Sequence, residues 1–107
     1  MKLPLQVQVY FDADHTEKSE DLLKAFAPDA RVYDEGRTYV GHEAIASWWR
    51  ASKEKYRAIA EPIELEEQGE VAWVRARVTG LFPGSPAMLT FAFRLSGKEI
   101  TVLEIGA

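Results

Sequence analysis

Asp34 is the side chain in this sequence best placed to do chemistry. It stands in Phe26-Ala-Pro-Asp-Ala-Arg-Val-Tyr-Asp-Glu-Gly-Arg37, where a short strand pattern from Arg31 to Glu35 runs into a turn at Gly36. A carboxylate at such a point has two fates. In water it accepts turn N–H bonds at Gly36 and Arg37, or pairs with Arg37, and does no chemistry. Shut into an apolar cavity, a carboxylate holds its proton more tightly and becomes a base able to take a proton from carbon at neutral pH. The residues alone leave both fates open.

Other reactive side chains offer less. Phe11-Asp-Ala-Asp-His-Thr16 has the spacing of an aspartyl nucleophile in phosphoryl transfer. That chemistry needs a parallel α/β domain and further lysine and aspartate motifs, and the rest of the chain reads antiparallel. His15 and His42 stand apart without ligand spacing, so no metal is expected. His42, just after Gly41, reads as a solvated residue at a helix start. Glu35 and Arg37 read as a surface pair at the mouth of any pocket.

Composition sets the frame. The chain has 107 residues, enough for one domain (1–107) with one core. Its formal charge is −4 with no Lys/Arg block, which argues against nucleic acid. Cysteine is absent, excluding disulfides, thiolate metal sites and cysteine nucleophiles. Neither a leader-like apolar run nor a stretch of ~18 apolar residues occurs, so a cytoplasmic protein without a membrane partner is expected.

The elements that must position Asp34 follow from periodicity. Leu3, Val7, Tyr10 and Phe11 recur at helical spacing, although Val7, Val9 and Phe11 also fit a strand. Ser19 can cap a second helix with a Leu22, Leu23, Phe26 stripe, stopped by Pro28. A third helix runs from Gly41 to about Tyr56. It carries Ile45, Trp48, Trp49, Ser52 and Tyr56 on one face and Arg50, Lys53, Glu54 and Lys55 outside. From Arg57 the period changes to two, and 59–67, 71–79, 88–95 and 100–105 read as strands. Pro83-Gly84 and Gly97-Lys98 are hairpin turns, so neighbouring strands should pair antiparallel. Helices followed by such a meander describe an α+β domain, its curved sheet leaving a cavity as the default ligand site.

The sheet has two faces. Ala72, Val74, Ala76, Val78, Leu89, Phe91, Phe93 and Leu95 point one way; Trp73, Arg75, Arg77, Thr79, Thr90 and Arg94 point the other. Glu64, Glu66 and Glu104 can pair with those arginines across strands. A tryptophan on this face suggests a cover, most simply a second subunit, so a homodimer through Trp73, Arg75, Arg77 and Arg94 is expected. A solvated charged face is the alternative.

From about Val7 to Ile105 the sequence resembles the nuclear transport factor 2-like superfamily, and within it the SnoaL-like group. The resemblance is strongest over Phe26 to Trp48, in Gly80-Leu-Phe-Pro-Gly-Ser-Pro86 and in the terminal Leu103-Glu-Ile. It implies a cone-shaped half-barrel, with N-terminal helices packed in a curved antiparallel sheet (a cystatin-like α+β roll). Activity varies within that superfamily, from isomerases and polyketide cyclases to non-catalytic binding modules. Against its ketosteroid isomerase branch, Asp34 falls at the general-base aspartate and Tyr10 at the tyrosine that donates to the developing enolate oxygen. Trp48 and Trp49 match an aromatic pair on the third helix. The branch's second, protonated acid has no counterpart: Phe91 stands at its position, and no Asp or Glu occurs from Met88 to Leu95. The oxyanion site is therefore half built.

The resemblance implies a pocket lined by Tyr10, Val32, Asp34, Ile45, Trp48, Trp49, Val74, Phe91 and Phe93, open or filled by its own aromatics. Its ligand would be flat and largely apolar, of a polyketide, steroid or terpenoid kind, with one carbonyl or hydroxyl. The reaction would be proton transfer α to that carbonyl, with Asp34 as base and Tyr10 as donor, giving isomerisation or cyclisation without a cofactor. A non-catalytic ligand-binding or dimerisation module is the competing expectation, and a hydrolase or dehydratase comes third.

Overall fold

The computed structural model describes residues 1–107. Three helices and six strands alternate as α1 (Leu5–Thr16), α2 (Ser19–Leu23), β1 (Phe26–Asp34), β2 (Arg37–Val40), α3 (Gly41–Tyr56), β3 (Ile59–Gln68), β4 (Val71–Thr79), β5 (Ala87–Ser96) and β6 (Glu99–Gly106). Helical spacing wins over strand spacing at the N-terminus: α1 buries Val7, Tyr10 and Phe11 on one face. It ends where Glu17 turns left-handed, at φ 58°. Gln6, also buried, donates from Nε2 to the Gly97 carbonyl at 3.1 Å and ties the helix to the β5–β6 turn.

The second helix is shorter than its apolar stripe suggests. It stops at Leu23, and Phe26 begins β1 opposite Ile100 of β6. Pro28 lies within β1, where the β1–β6 register shifts between Phe26 and Arg31, so its missing N–H breaks no regular ladder. Ser19 is the first helical residue rather than the cap, and its Oγ accepts from Arg50 Nη1 at 2.9 Å. The third helix spans the expected residues. His42 is half-buried rather than freely solvated: its Nε2 lies 2.8 Å from the Phe26 carbonyl, fastening the start of α3 to β1.

The sheet is a single curved layer in the order β2-β1-β6-β5-β4-β3. From β3 to β6 consecutive strands pair antiparallel through short turns, as the period-two pattern requires. Two features were not legible: the four-residue strand β2, which hairpins back onto β1, and the parallel pairing of β1 with β6. Phe82 to Ser85 forms the β4–β5 turn, with the Ser85 N–H bonded to the Phe82 carbonyl at 3.3 Å and Gly84 at φ +89°.

All four residues of the inner β4 face are buried, whereas Arg75, Arg77 and Arg94 are exposed on the other and Trp73 is half-buried. Register sets Glu64 opposite Arg75 and Glu61 opposite Arg77. No ion pair forms there, however; the two in the structure are Lys24–Asp21 on the surface and Lys53–Asp14 inside. At these surface positions Coulomb attraction in water does not outweigh the entropy of holding long side chains still. No helix is long and apolar enough to cross a membrane.

Candidate functional site

The helices cover one end of the curved sheet incompletely and leave a cavity of about 420 Å³, open rather than filled by its aromatics. Each main element sends side chains into it. On β1, Ala30, Val32 and Asp34 share one face because the strand alternates. Ala30 and Val32 are spent in the core, and Asp34, at the strand's end, reaches the cavity. The two-residue turn Glu35-Gly36, both residues at positive φ, then reverses the chain so that Asp34 faces Arg37 in register. Helix α1 contributes Tyr10 and, one turn on, Asp14; α3 contributes Trp48, Trp49, Ser52, Lys53 and Tyr56. Phe91 and Leu89 come from β5, and Phe82 and Pro83 from the β4–β5 turn.

Asp34 is neither a turn cap nor a partner of Arg37. Its Oδ2 accepts the indole N–H of Trp48 at 3.0 Å, and it pairs with no cation. One carboxylate oxygen is thus fixed in direction, and the other is left for a ligand. Tyr10 packs edge-on against Phe11 (ring centroids 5.1 Å apart) and Phe93 (5.3 Å) and lies 6.0 Å from Phe91. Its hydroxyl makes no hydrogen bond within the chain, yet it is not a sealed orphan, because Tyr10 lines the cavity. Burial pushes its pKa well above the usual tyrosine value, with the negative fields of Asp14 and Asp34 adding to the shift. Tyr10 is therefore neutral and a donor throughout the physiological range.

A second charged pair was not foreseen. Lys53 and Asp14 form a salt bridge, their side chains only 20% and 10% exposed. Asp14 Oδ2 also accepts the Ala60 N–H at 2.9 Å, and Lys53 donates to the Ala58 carbonyl and lies 5.5 Å from the centre of the Trp49 ring. The expectation that Lys53 faces outward is corrected: its long side chain curls into the cavity wall, where Asp14 compensates its charge. The signal was present in the spacing, since Asp14 follows Tyr10 by four residues and Lys53 follows Trp49 by four.

Of the nine residues expected to line the pocket, Tyr10, Asp34, Trp48, Trp49 and Phe91 come together around it. Val32, Ile45, Val74 and Phe93 do not. All four have no exposed surface and pack in the core behind the wall, because they point inward at a deeper level of the sheet and helix. Glu35 lines the cavity, whereas Arg37 is exposed away from it. Phe91 offers only its ring at the wall, so no acid stands there. No group of three or more His, Cys, Asp or Glu side chains converges as a metal site.

Comparison with known proteins agrees with this architecture. Residues 7–103 match the model of the SnoaL-like domain. The crystal structure of a candidate polyketide cyclase (protein SMa1630) from Sinorhizobium meliloti is 47% identical, with a TM-score of 0.93 over 96% of this chain and 94% of that one. A Catenulispora acidiphila protein with a ketosteroid isomerase-like fold, in complex with trimethylamine, is 21% identical (TM-score 0.86, covering 99% and 87%). A cystatin-fold protein from Novosphingobium aromaticivorans is 17% identical (TM-score 0.80, covering 100% and 99%). No curated protein matches the chain in sequence.

Proposed function

The chain belongs to the SnoaL-like domain family, and we propose that it binds a flat, largely apolar ketone and transfers a proton at the carbon next to the carbonyl. The observation that carries this reading is the state of Asp34: a carboxylate in an aromatic cavity, with one oxygen held by Trp48 and no cation beside it. The Tyr10 hydroxyl, without a partner of its own, lines the same cavity. In the reaction, Asp34 takes the α-proton and becomes a carboxylic acid. The C–H electron pair becomes the carbon–carbon π bond of the enolate, the carbonyl π pair moves onto oxygen, and Tyr10 donates a hydrogen bond to that oxygen as it gains charge. Where the ketone carries a conjugable double bond, return of the proton to the far carbon of the dienolate completes an isomerisation; attack of the enolate on a second carbonyl, with the Asp34 proton passing to the alkoxide formed, completes a cyclisation. Neither needs a redox partner. The 47% identical structure described as a candidate polyketide cyclase favours substrates of that kind.

A second reading has its own support. Phe91, where an acid would complete the oxyanion site, favours a binding module in which Asp34 only orients a ligand hydroxyl. Asp34→Asn separates the two. Ligand binding can be followed by the fluorescence of Trp48 and Trp49, and turnover by ultraviolet absorbance. As a base, Asp34 is worth ~10²–10⁴-fold in rate, so the variant should keep its affinity within a few-fold and lose turnover by that factor. Binding without turnover in the wild-type protein would leave the binding module. We further propose a homodimer through the outer sheet face, where Trp73 and unpaired arginines lie beside the glutamates of β3.

A further inference from the structure

The ion pair in the cavity wall has no part in the proton transfer above. Lys53 and Asp14 join α3, α1 and the start of β3. Asp14 Oδ1 takes Lys53 and Oδ2 takes the Ala60 N–H, and no hydrogen bond joins Asp14 to the hydroxyl of Tyr10 one turn away. An ammonium carries three N–H groups. Two of those on Lys53 go to Asp14 and the Ala58 carbonyl; the third has no acceptor in the chain, and the side chain lines the cavity.

We propose that Lys53 is the second donor to the ligand oxygen, sharing with Tyr10 the charge that develops there, and that Asp14 is the positioning residue that holds it. The proposal rests on the reading of Asp34 as base and Tyr10 as donor. It supplies from α3 what the Phe91 position on β5 lacks. It also defines the substrate class. The cavity carries Asp14, Asp34 and Glu35 against Lys53 alone, so a ligand already bearing a carboxylate is repelled. The substrate is neutral when it binds, and its oxygen becomes anionic only as Asp34 loses its own charge to the proton. The charge then moves from Asp34 toward Lys53 without changing the total, and donors fixed in advance stabilise such a shift best.

Flat phenols test this directly, because a bound naphtholate places negative charge where the enolate oxygen would be. In Asp34→Asn, which mimics the protonated base, 2-naphthols of graded acidity and the uncharged 2-methoxynaphthalene are titrated by tryptophan fluorescence. Affinity should rise with naphthol acidity, reaching at least tenfold over the methyl ether. Adding Asp14→Asn together with Lys53→Met should erase that advantage while lowering the ether's affinity far less. Asp14→Asn alone in the same background, which keeps the ammonium but removes its anchor, should shrink the advantage of the acidic naphthols over the ether, and decides the matter should the triple variant not fold: an advantage undiminished there overturns the positioning role. Lys53→Arg should retain the preference. Equal loss of naphthol and ether would make the pair merely structural, and an unchanged acidity dependence would remove Lys53 from the site; either overturns the proposal. If no member of the series binds the parent protein, the small-molecule reading fails first, and this one with it.

Discussion

Only neutral tyrosine donates a proton to a ligand oxygen, and Tyr10 is held in that state by burial and by the fields of Asp14 and Asp34. A pKa raised in the folded state means that the native protein binds this proton more tightly than the unfolded chain. The resulting stability is complete below the ordinary tyrosine value of ~10 and is lost as pH rises beyond it. Urea melts at pH 8 and pH 10.5 should show a larger loss for the wild-type protein than for Tyr10→Phe; an equal loss would count against a buried, neutral Tyr10. Asp34→Asn should leave stability within ~1 kcal/mol, because the amide oxygen can still accept the Trp48 indole. Lys53→Met is different: it strands the mostly buried Asp14 carboxylate and should cost ~3–5 kcal/mol by chemical denaturation. Its place at the end of a strand singled out Asp34, and the family resemblance singled out Tyr10, Trp48, Trp49 and Phe91; residue types and spacing alone did not mark these four as a site. They could not tell cavity from core at Val32, Ile45, Val74 and Phe93, because residues on one face of a strand or helix differ in depth, and periodicity carries no depth.

Among the elements, the β4–β5 turn does more than reverse the chain. Its Leu81 N–H bonds the Tyr56 carbonyl at the end of α3 at 2.6 Å, Phe82 packs edge-on against Tyr56, and Phe82 and Pro83 close one side of the cavity. Gly80 permits this close approach: a Cβ there would stand 2.6 Å from the Tyr56 carbonyl oxygen. Gly80→Ala should therefore cost ~1–3 kcal/mol in stability and weaken ligand binding, since the turn must lift from α3. A variant as stable and as tight-binding as the wild type would refute that coupling. Elements with a long, clean period were readable: α3 and β4 came within a residue of their ends. The weak ones were not. Phe26 fits a helical stripe as well as a strand, and pairing with β6, a contact distant in sequence, decides for the strand. Likewise β2 is only four residues long, and three of them are exposed, so no hydrophobic alternation marks it.

At the scale of the molecule, one side of the sheet is spent on the helices and the cavity, and the other carries Trp73, Arg75, Arg77 and Arg94 with no intrachain ion pairs. The proposed dimer would set those arginines against the β3 glutamates of a second copy. Arg75→Glu with Arg77→Glu should then halve the mass found by light scattering while the fold is kept; a wild-type protein already monomeric at tens of micromolar would contradict it. The fold class was legible because the change of period at Arg57 and the family resemblance pointed the same way. The curved sheet belonged to that expectation, and the six strands do form one. The central claim concerns a single proton. The most direct measurement is the rate at which the protein exchanges the α-hydrogens of a flat cyclic ketone such as 2-tetralone with deuterium oxide, followed by proton NMR. The wild-type protein should accelerate exchange over buffer, and Asp34→Asn should lose ~10²-fold or more of that acceleration. A variant exchanging as fast as the wild type, or a wild-type protein no faster than buffer, would contradict the assignment of Asp34 as a base.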